Sequence, residues 1–177
     1  MRTSIHIDGG YVEKIVSGRL DYRKFPQAVL KAVGGGHLVR TYYYDCVPQY
    51  ESNKQKFMDA LSFLPNFCVR YGYLDTHVGG GGVAISTQKM TDVQIALDIV
   101  RAAQSGIEQV VVVCGDMDIV PALEWARELF VEVVLVHGNG FGESHGISQT
   151  LKDATDRRVM WGPGIWEECR WKNEENM

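Results

Sequence analysis

No run of apolar residues in this sequence approaches the roughly 20 needed to span a bilayer, and its start lacks the charged, apolar and small-residue order of a signal peptide. The expectation is a soluble, cytoplasmic protein with no membrane partner. The four cysteines, Cys46, Cys68, Cys114 and Cys169, never occur as Cys-x-x-Cys, and three lie in or beside apolar strand-like segments. Buried thiols are therefore expected, ahead of disulfides or zinc. There is no Gly-x-x-x-x-Gly-Lys-[Ser/Thr], no His-Glu-x-x-His and no Gly-x-Ser-x-Gly, so a P-loop, a zinc protease site and a serine nucleophile elbow are all unsupported. Gly79 to Ala84 matches Gly-x-Gly-x-x-Ala as letters, but an extended piece follows where a helix must begin. Gly138 to Glu143 fails because an acid holds the third glycine position. A basic excess is missing too: 18 Lys and Arg face 22 Asp and Glu, which argues against a general nucleic-acid binder. A local basic rim from Lys54, Lys56, Arg70, Lys89, Lys152, Arg157 and Arg158 stays open.

With 177 residues, 45% of them hydrophobic, the chain can bury one good core. Strands are expected at Thr3 to Asp8, His37 to Tyr44, Phe67 to Leu74, Gln109 to Cys114, Glu132 to His137 and Arg158 to Trp161, with an extended piece at Val83 to Thr87. Helices are expected around Val12 to Val16, Pro26 to Val33, Ser52 to Leu64, Thr91 to Gln104, Ile119 to Phe130 and Ser148 to Ala154. The run Val110 to Val113 suits a strand covered on both faces. Such alternation predicts an α/β fold: a three-layer αβα, Rossmann-like sandwich on a mostly parallel sheet with right-handed crossovers. Residues 1–162 form the expected domain. Residues 163–177 form an expected extension, partly disordered and fraying from Glu167.

Short acidic clusters follow the buried strands: Asp8 before Gly9-Gly10, Asp92 in Lys-Met-Thr-Asp, and Asp116 with Asp118 in Cys-Gly-Asp-Met-Asp. In an open parallel sheet, ligands bind in the crevice outside the carboxyl ends of the strands. Two carboxylates about 4 Å apart there repel by roughly 4 kcal/mol at an effective dielectric near 20, so a cation or a proton must compensate. Each position also has a plainer role: Asp8 as a turn residue, Asp118 as a helix cap before Pro121. A 100° step per residue puts Val93, Ala96, Leu97, Ile99, Val100 and Ala103 on one arc that includes Asp92. Asp98 falls outside that arc and is expected to form a surface pair with Arg101.

The ordered set Ile7-Asp8-Gly9-Gly10-Tyr11, Lys89-Met90-Thr91-Asp92-Val93 with Leu97-Asp98, Cys114 to Leu123, and Leu151 with Ala154-Thr155-Asp156 resembles the NYN domain of the LabA-like group, within the PIN-like nuclease superfamily. The resemblance runs from about Ser4 to Trp161. It implies a PIN-like fold, a Mg²⁺ or Mn²⁺ site on Asp8, Asp92 and Asp116 with Asp118 assisting, and metal-dependent cleavage of single-stranded or structured RNA. Hard carboxylate oxygens suit those ions. Lys89 is the candidate phosphate contact. Asp98 and Tyr11 are secondary candidates, since the family commonly carries an acid at the first position and Asn at the second. Many members carry Ser or Thr where this chain has Cys114. These departures set a non-catalytic RNA-binding or regulatory module beside the nuclease reading. A small-molecule phosphatase ranks lower, because His6 and Val120 stand where its acids are required. Pairing into a homodimer is a further expectation from the family.

Overall fold

The computed structural model describes residues 1–47, 52–78, 84–138 and 147–172. In chain order the elements are β1 (Arg2–Asp8), α1 (Gly9–Ile15), α2 (Phe25–Ala32), β2 (His37–Val47), α3 (Asn53–Ser62), β3 (Phe67–Val78), β4 (Ala84–Lys89), α4 (Thr91–Gln104), β5 (Gln109–Val113), α5 (Val120–Glu128), β6 (Glu132–His137), α6 (Gln149–Asp153), β7 (Arg157–Met160) and α7 (Pro163–Cys169). Side-chain hydroxyls and prolines set several helix starts. Ser52 and Ser148 accept the amides of Gln55 and Leu151, and Pro26, Pro121 and Pro163 occupy first turns.

One sheet runs β4-β3-β2-β1-β5-β6-β7; six strands are parallel, and the edge strand β4 returns antiparallel along β3. Strand periodicity divides the interior in two. Ile5, Ile7, Val111, Val113, Val134 and Val136 point to a core closed by α1, α2, α3 and α7. Val110, Val112, Val133 and Leu135 point to one closed by α4, α5 and α6. The result is the expected three-layer α/β sandwich. Among the described residues no helix is long and apolar enough to cross a membrane.

Three local expectations are corrected. The inward face of α4 is Thr91, Ile95, Asp98, Ile99, Ala102 and Ala103, whereas Val93 and Leu97 are 63% and 47% exposed. Ile99 and Ala103 of the expected arc are thus buried but its Val93 and Leu97 side is not, and Asp98 is no surface residue, because polar partners on the sheet reward its burial. Residues 163–169 form α7, whose Ile165 and Cys169 enter the first core against α2, so the expected extension begins as a packed helix. The last five residues, 173–177, lie outside the described residues, as does the glycine run 79–82. None of the four cysteines is disulfide-bonded, and Cys46, Cys114 and Cys169 are buried.

Candidate metal centre

Strand β1 pairs with β2 on one side and β5 on the other, so the chain winds outward in opposite directions from this pair. Such a switch point opens a crevice at the carboxyl edge. Into that edge run Asp8, ending β1, and the segment Cys114-Gly115-Asp116 leaving β5. Asp116 has an extended backbone, and its carboxylate accepts the Asp118 amide at 2.9 Å, closing a 3-10 turn over Met117–Ile119 that feeds α5. The capping role expected of Asp118 therefore belongs to Asp116. Asp92 occupies the first turn of α4, entered through Met90 in a left-handed conformation (φ 75°) and tied by the Thr91 hydroxyl to Cys46 Sγ at 3.1 Å.

Asp92, Asp116 and Asp118 each present a carboxylate oxygen, and the three lie within 4.8 Å of one another. Asp92 and Asp118 are exposed and Asp116 is half-buried. No cation lies among them to offset their repulsion in the described contacts. Desolvation, followed by the charges of Asp116 and Asp118, raises the Asp92 pKa above its ordinary value. An all-oxygen, water-accessible donor set of this charge fits a hard divalent ion that keeps several waters.

Asp8 stands behind this group. Its Oδ1 accepts the Tyr11 amide at 3.1 Å, capping α1, and its Oδ2 accepts the Cys114 thiol at 3.6 Å. The same sulfur accepts the Asp116 amide at 3.3 Å, so Cys114 joins the end of β1 to the Asp116 turn. Burial raises the Asp8 pKa, and the charges of Asp92 and Asp45 push the same way against the two hydrogen bonds. The structure thus gathers Asp92, Asp116 and Asp118, with Asp8 a capping neighbour within electrostatic reach.

Tyr11 is buried, unlike a substrate contact. A Cβ at Gly115 would sit 2.3 Å from its ring, and its hydroxyl accepts the Gly138 amide at 3.2 Å, so it wedges the exits of β5 and β6. The side chain of Lys89 lies outside the described residues. Asp98 is 2% exposed and held by the Arg70 fork at 2.7 and 3.1 Å and by Arg101 at 3.2 Å. Burial works to raise its pKa, but the two arginines prevail and hold it below the ordinary carboxylate value.

Asp45 escaped the sequence reading. It is buried at the carboxyl end of β2, where its Oδ1 accepts the Cys46 amide at 2.7 Å and meets Lys54 Nζ at 2.8 Å. Its other oxygen would lie 2.6 Å from a Cβ at Gly9, which explains the glycine after Asp8. An acid ending the strand beside β1 was the available signal, obscured because β2 was expected to stop at Tyr44.

The model of the NYN domain family matches residues 2–161 of this chain. The chain belongs to the NYN domain family. NYN domains fall within the PIN-like nuclease superfamily, and the acidic group occupies the sheet edge where such a fold places ligands. No curated protein matches significantly. Among solved structures, a ribokinase from Giardia lamblia is similar at TM-score 0.43 and 13% identity, over 80% of this chain and 47% of the ribokinase. This chain thus spans about half of that protein's length. A nicotinamidase from Staphylococcus aureus is similar at TM-score 0.32 and 13% identity, over 76% of this chain and 80% of the nicotinamidase. Likeness at these levels carries no inference about activity.

Proposed function

We propose that this NYN domain, of the LabA-like group, is a metal-dependent ribonuclease that holds Mg²⁺ or Mn²⁺ on Asp92, Asp116 and Asp118. The observation that carries this reading is the approach of three carboxylate oxygens to within 4.8 Å at the switch point. A bound ion supplies Lewis-acid stabilisation of a phosphodiester and lowers the pKa of water that it binds. The chain's own part is placement. Asp116, fixed by its bond to the Asp118 amide, and Asp92, fixed by α4, present ligand oxygens from two separate elements. Asp118, the exposed member on the same turn, orients the attacking water. Asp8 keeps the β1 terminus and the Asp116 turn together through Cys114 and adds negative potential behind the site. Lys89 is the proposed phosphate contact, RNA the substrate, and a cytoplasmic homodimer the working form suggested by the family.

A second reading has its own support: two described cations towards this edge already have partners. Lys54 pairs with Asp45 and Glu13, and Arg70 with Asp98. A site so short of uncommitted positive charge suits a module that binds RNA weakly without cleaving it. Calorimetric titration of Mn²⁺ into the wild type and Asp116→Asn, with RNA cleavage followed in parallel, separates the two. Binding lost in the variant together with Mn²⁺-dependent cleavage supports the nuclease. Metal uptake without turnover of RNA or DNA favours the module, and hydrolysis of a small phosphomonoester alone would replace both with a phosphatase.

A further inference from the structure

Asp98 shares α4 with Asp92 but lies six residues further on, about 9 Å along the helix axis and away from the carboxyl edge. It ends a buried polar chain. The Ser4 hydroxyl lies 3.0 Å from His6 Nε2, His6 Nδ1 lies 2.8 Å from the Tyr44 hydroxyl, and that hydroxyl donates to Asp98 Oδ2 at 3.4 Å. One consistent arrangement runs hydroxyl to imidazole to phenol to carboxylate. The His6 and Tyr42 rings stack at 4.7 Å, and the Arg70 guanidinium, bidentate on Asp98, lies 5.7 Å from the centre of the Tyr42 ring. Strands β2 and β3 therefore grip one carboxylate on α4 through Tyr44 and Arg70, and β1 braces Tyr44 through His6.

Apolar patterning alone does not decide how α4 is seated, because Ile95, Ile99, Ala102 and Ala103 line the buried face while a second apolar arc lies elsewhere on the helix. The arc of Val93, Ala96, Leu97 and Val100 is centred roughly 150° around the axis from the centre of the buried face. Turning that second arc inward would bury Val93 and Leu97, expel Asp98 together with Ile95, and carry Asp92 from one side of the inner face to the other. A buried ion pair seldom adds stability over apolar residues of similar size, but it does specify one arrangement over its competitors.

We propose that Asp98 is a positioning residue for the acidic cluster: clamped by Arg70 and Tyr44, it fixes the rotation of α4 and thereby where Asp92 presents its carboxylate. This rests on the metal reading above and adds to it a residue that never touches the ion. The fork geometry of Arg70 matters as well as its charge, since lysine supplies a point charge without two parallel bonds.

The test is Mn²⁺ affinity by calorimetry, with thermal melts in EDTA alongside, on the wild type, Asp98→Asn, Arg70→Lys and Val29→Ala. Val29 lies in the opposite core, so its truncation lowers stability without bearing on α4. The expected result is at least about ten-fold weaker Mn²⁺ binding for Asp98→Asn, as for partners that orient metal ligands elsewhere, and a smaller loss for Arg70→Lys. Val29→Ala keeps wild-type affinity despite its lower melting temperature. Should Asp98→Asn not fold, Arg70→Lys carries the test alone. Wild-type affinity in folded Asp98→Asn or Arg70→Lys, as in Val29→Ala, overturns the positioning role and leaves the metal site standing. A wild type that takes up no Mn²⁺ overturns the metal reading and this inference together.

Discussion

Replacing Asp116 by Asn should stabilise the metal-free protein and destroy its response to metal. The three carboxylate oxygens lie within 4.8 Å of one another, and Asp116 takes part in two of the three repulsive pairs. Because two of the residues are exposed, a solvent-like dielectric is appropriate, giving about 1 kcal/mol per pair before salt screening. Removing one charge then relieves roughly 1–2 kcal/mol. Asn remains a good cap, so the bond to the Asp118 amide survives. For a chain of this size that corresponds to a rise in melting temperature of roughly 2–8 °C in EDTA. Mn²⁺ at about 100 times its Kd should stabilise the wild type by about 2.7 kcal/mol and leave the variant unchanged, so the order of the two melting temperatures inverts. The pH dependence carries the same sign. Asp92 has a raised folded-state pKa, so its ionisation costs stability above that value, and the cost is relieved as pH falls through it towards 3.8. Metal-free wild type should therefore gain on Asp116→Asn as the medium is acidified from pH 7. Differential scanning fluorimetry with EDTA and Mn²⁺ arms measures all of this. A variant no more stable than wild type in EDTA at pH 7, or one that responds equally to Mn²⁺, refutes the electrostatic reasoning.

Asp98 shows the opposite linkage. Its lowered folded-state pKa means that its stabilisation is present above 3.8 and lost as pH falls through the folded value, so Asp98→Asn should flatten the acid limb of a urea-denaturation series. Gly115→Ala would place a methyl 2.3 Å from the Tyr11 ring and should cost about 3 kcal/mol by chemical denaturation, a loss that Tyr11→Ala in the same chain should partly reverse. Phe130 is 97% exposed at φ 61°, so Phe130→Gly sheds left-handed strain with little packing lost; a gain of about 0.5–1 kcal/mol is expected, and a loss would show that the ring makes contacts that matter.

The order of strands and helices was legible because it rests on local physics. The continuous apolar run of Val110 to Val113, β-branched composition and prolines at helix starts act over a few residues, and α4 and β6 fall where their patterns place them. The carboxyl-edge location of the acidic clusters was legible for the same reason. What failed turned on partners distant along the chain. The rotation of α4 depends on Arg70 and Tyr44, 28 and 54 residues from Asp98, and apolar periodicity counted that carboxylate only as a polar residue to be expelled. Asp45 was missed because β2 runs three residues beyond its expected end, and α7 because its anchors, Ile165 and Cys169, are few and scattered.

By itself the sequence determined an α/β sandwich with aspartates delivered to one edge of the sheet, since hydrogen-bonding period and side-chain shape are properties of short segments. Only the tertiary structure decided which aspartates meet. Asp8 is held by the Tyr11 amide and the Cys114 thiol, while the Asp116 turn sets Asp118 beside Asp92, because packing of α4 on the sheet brings together segments far apart in the chain.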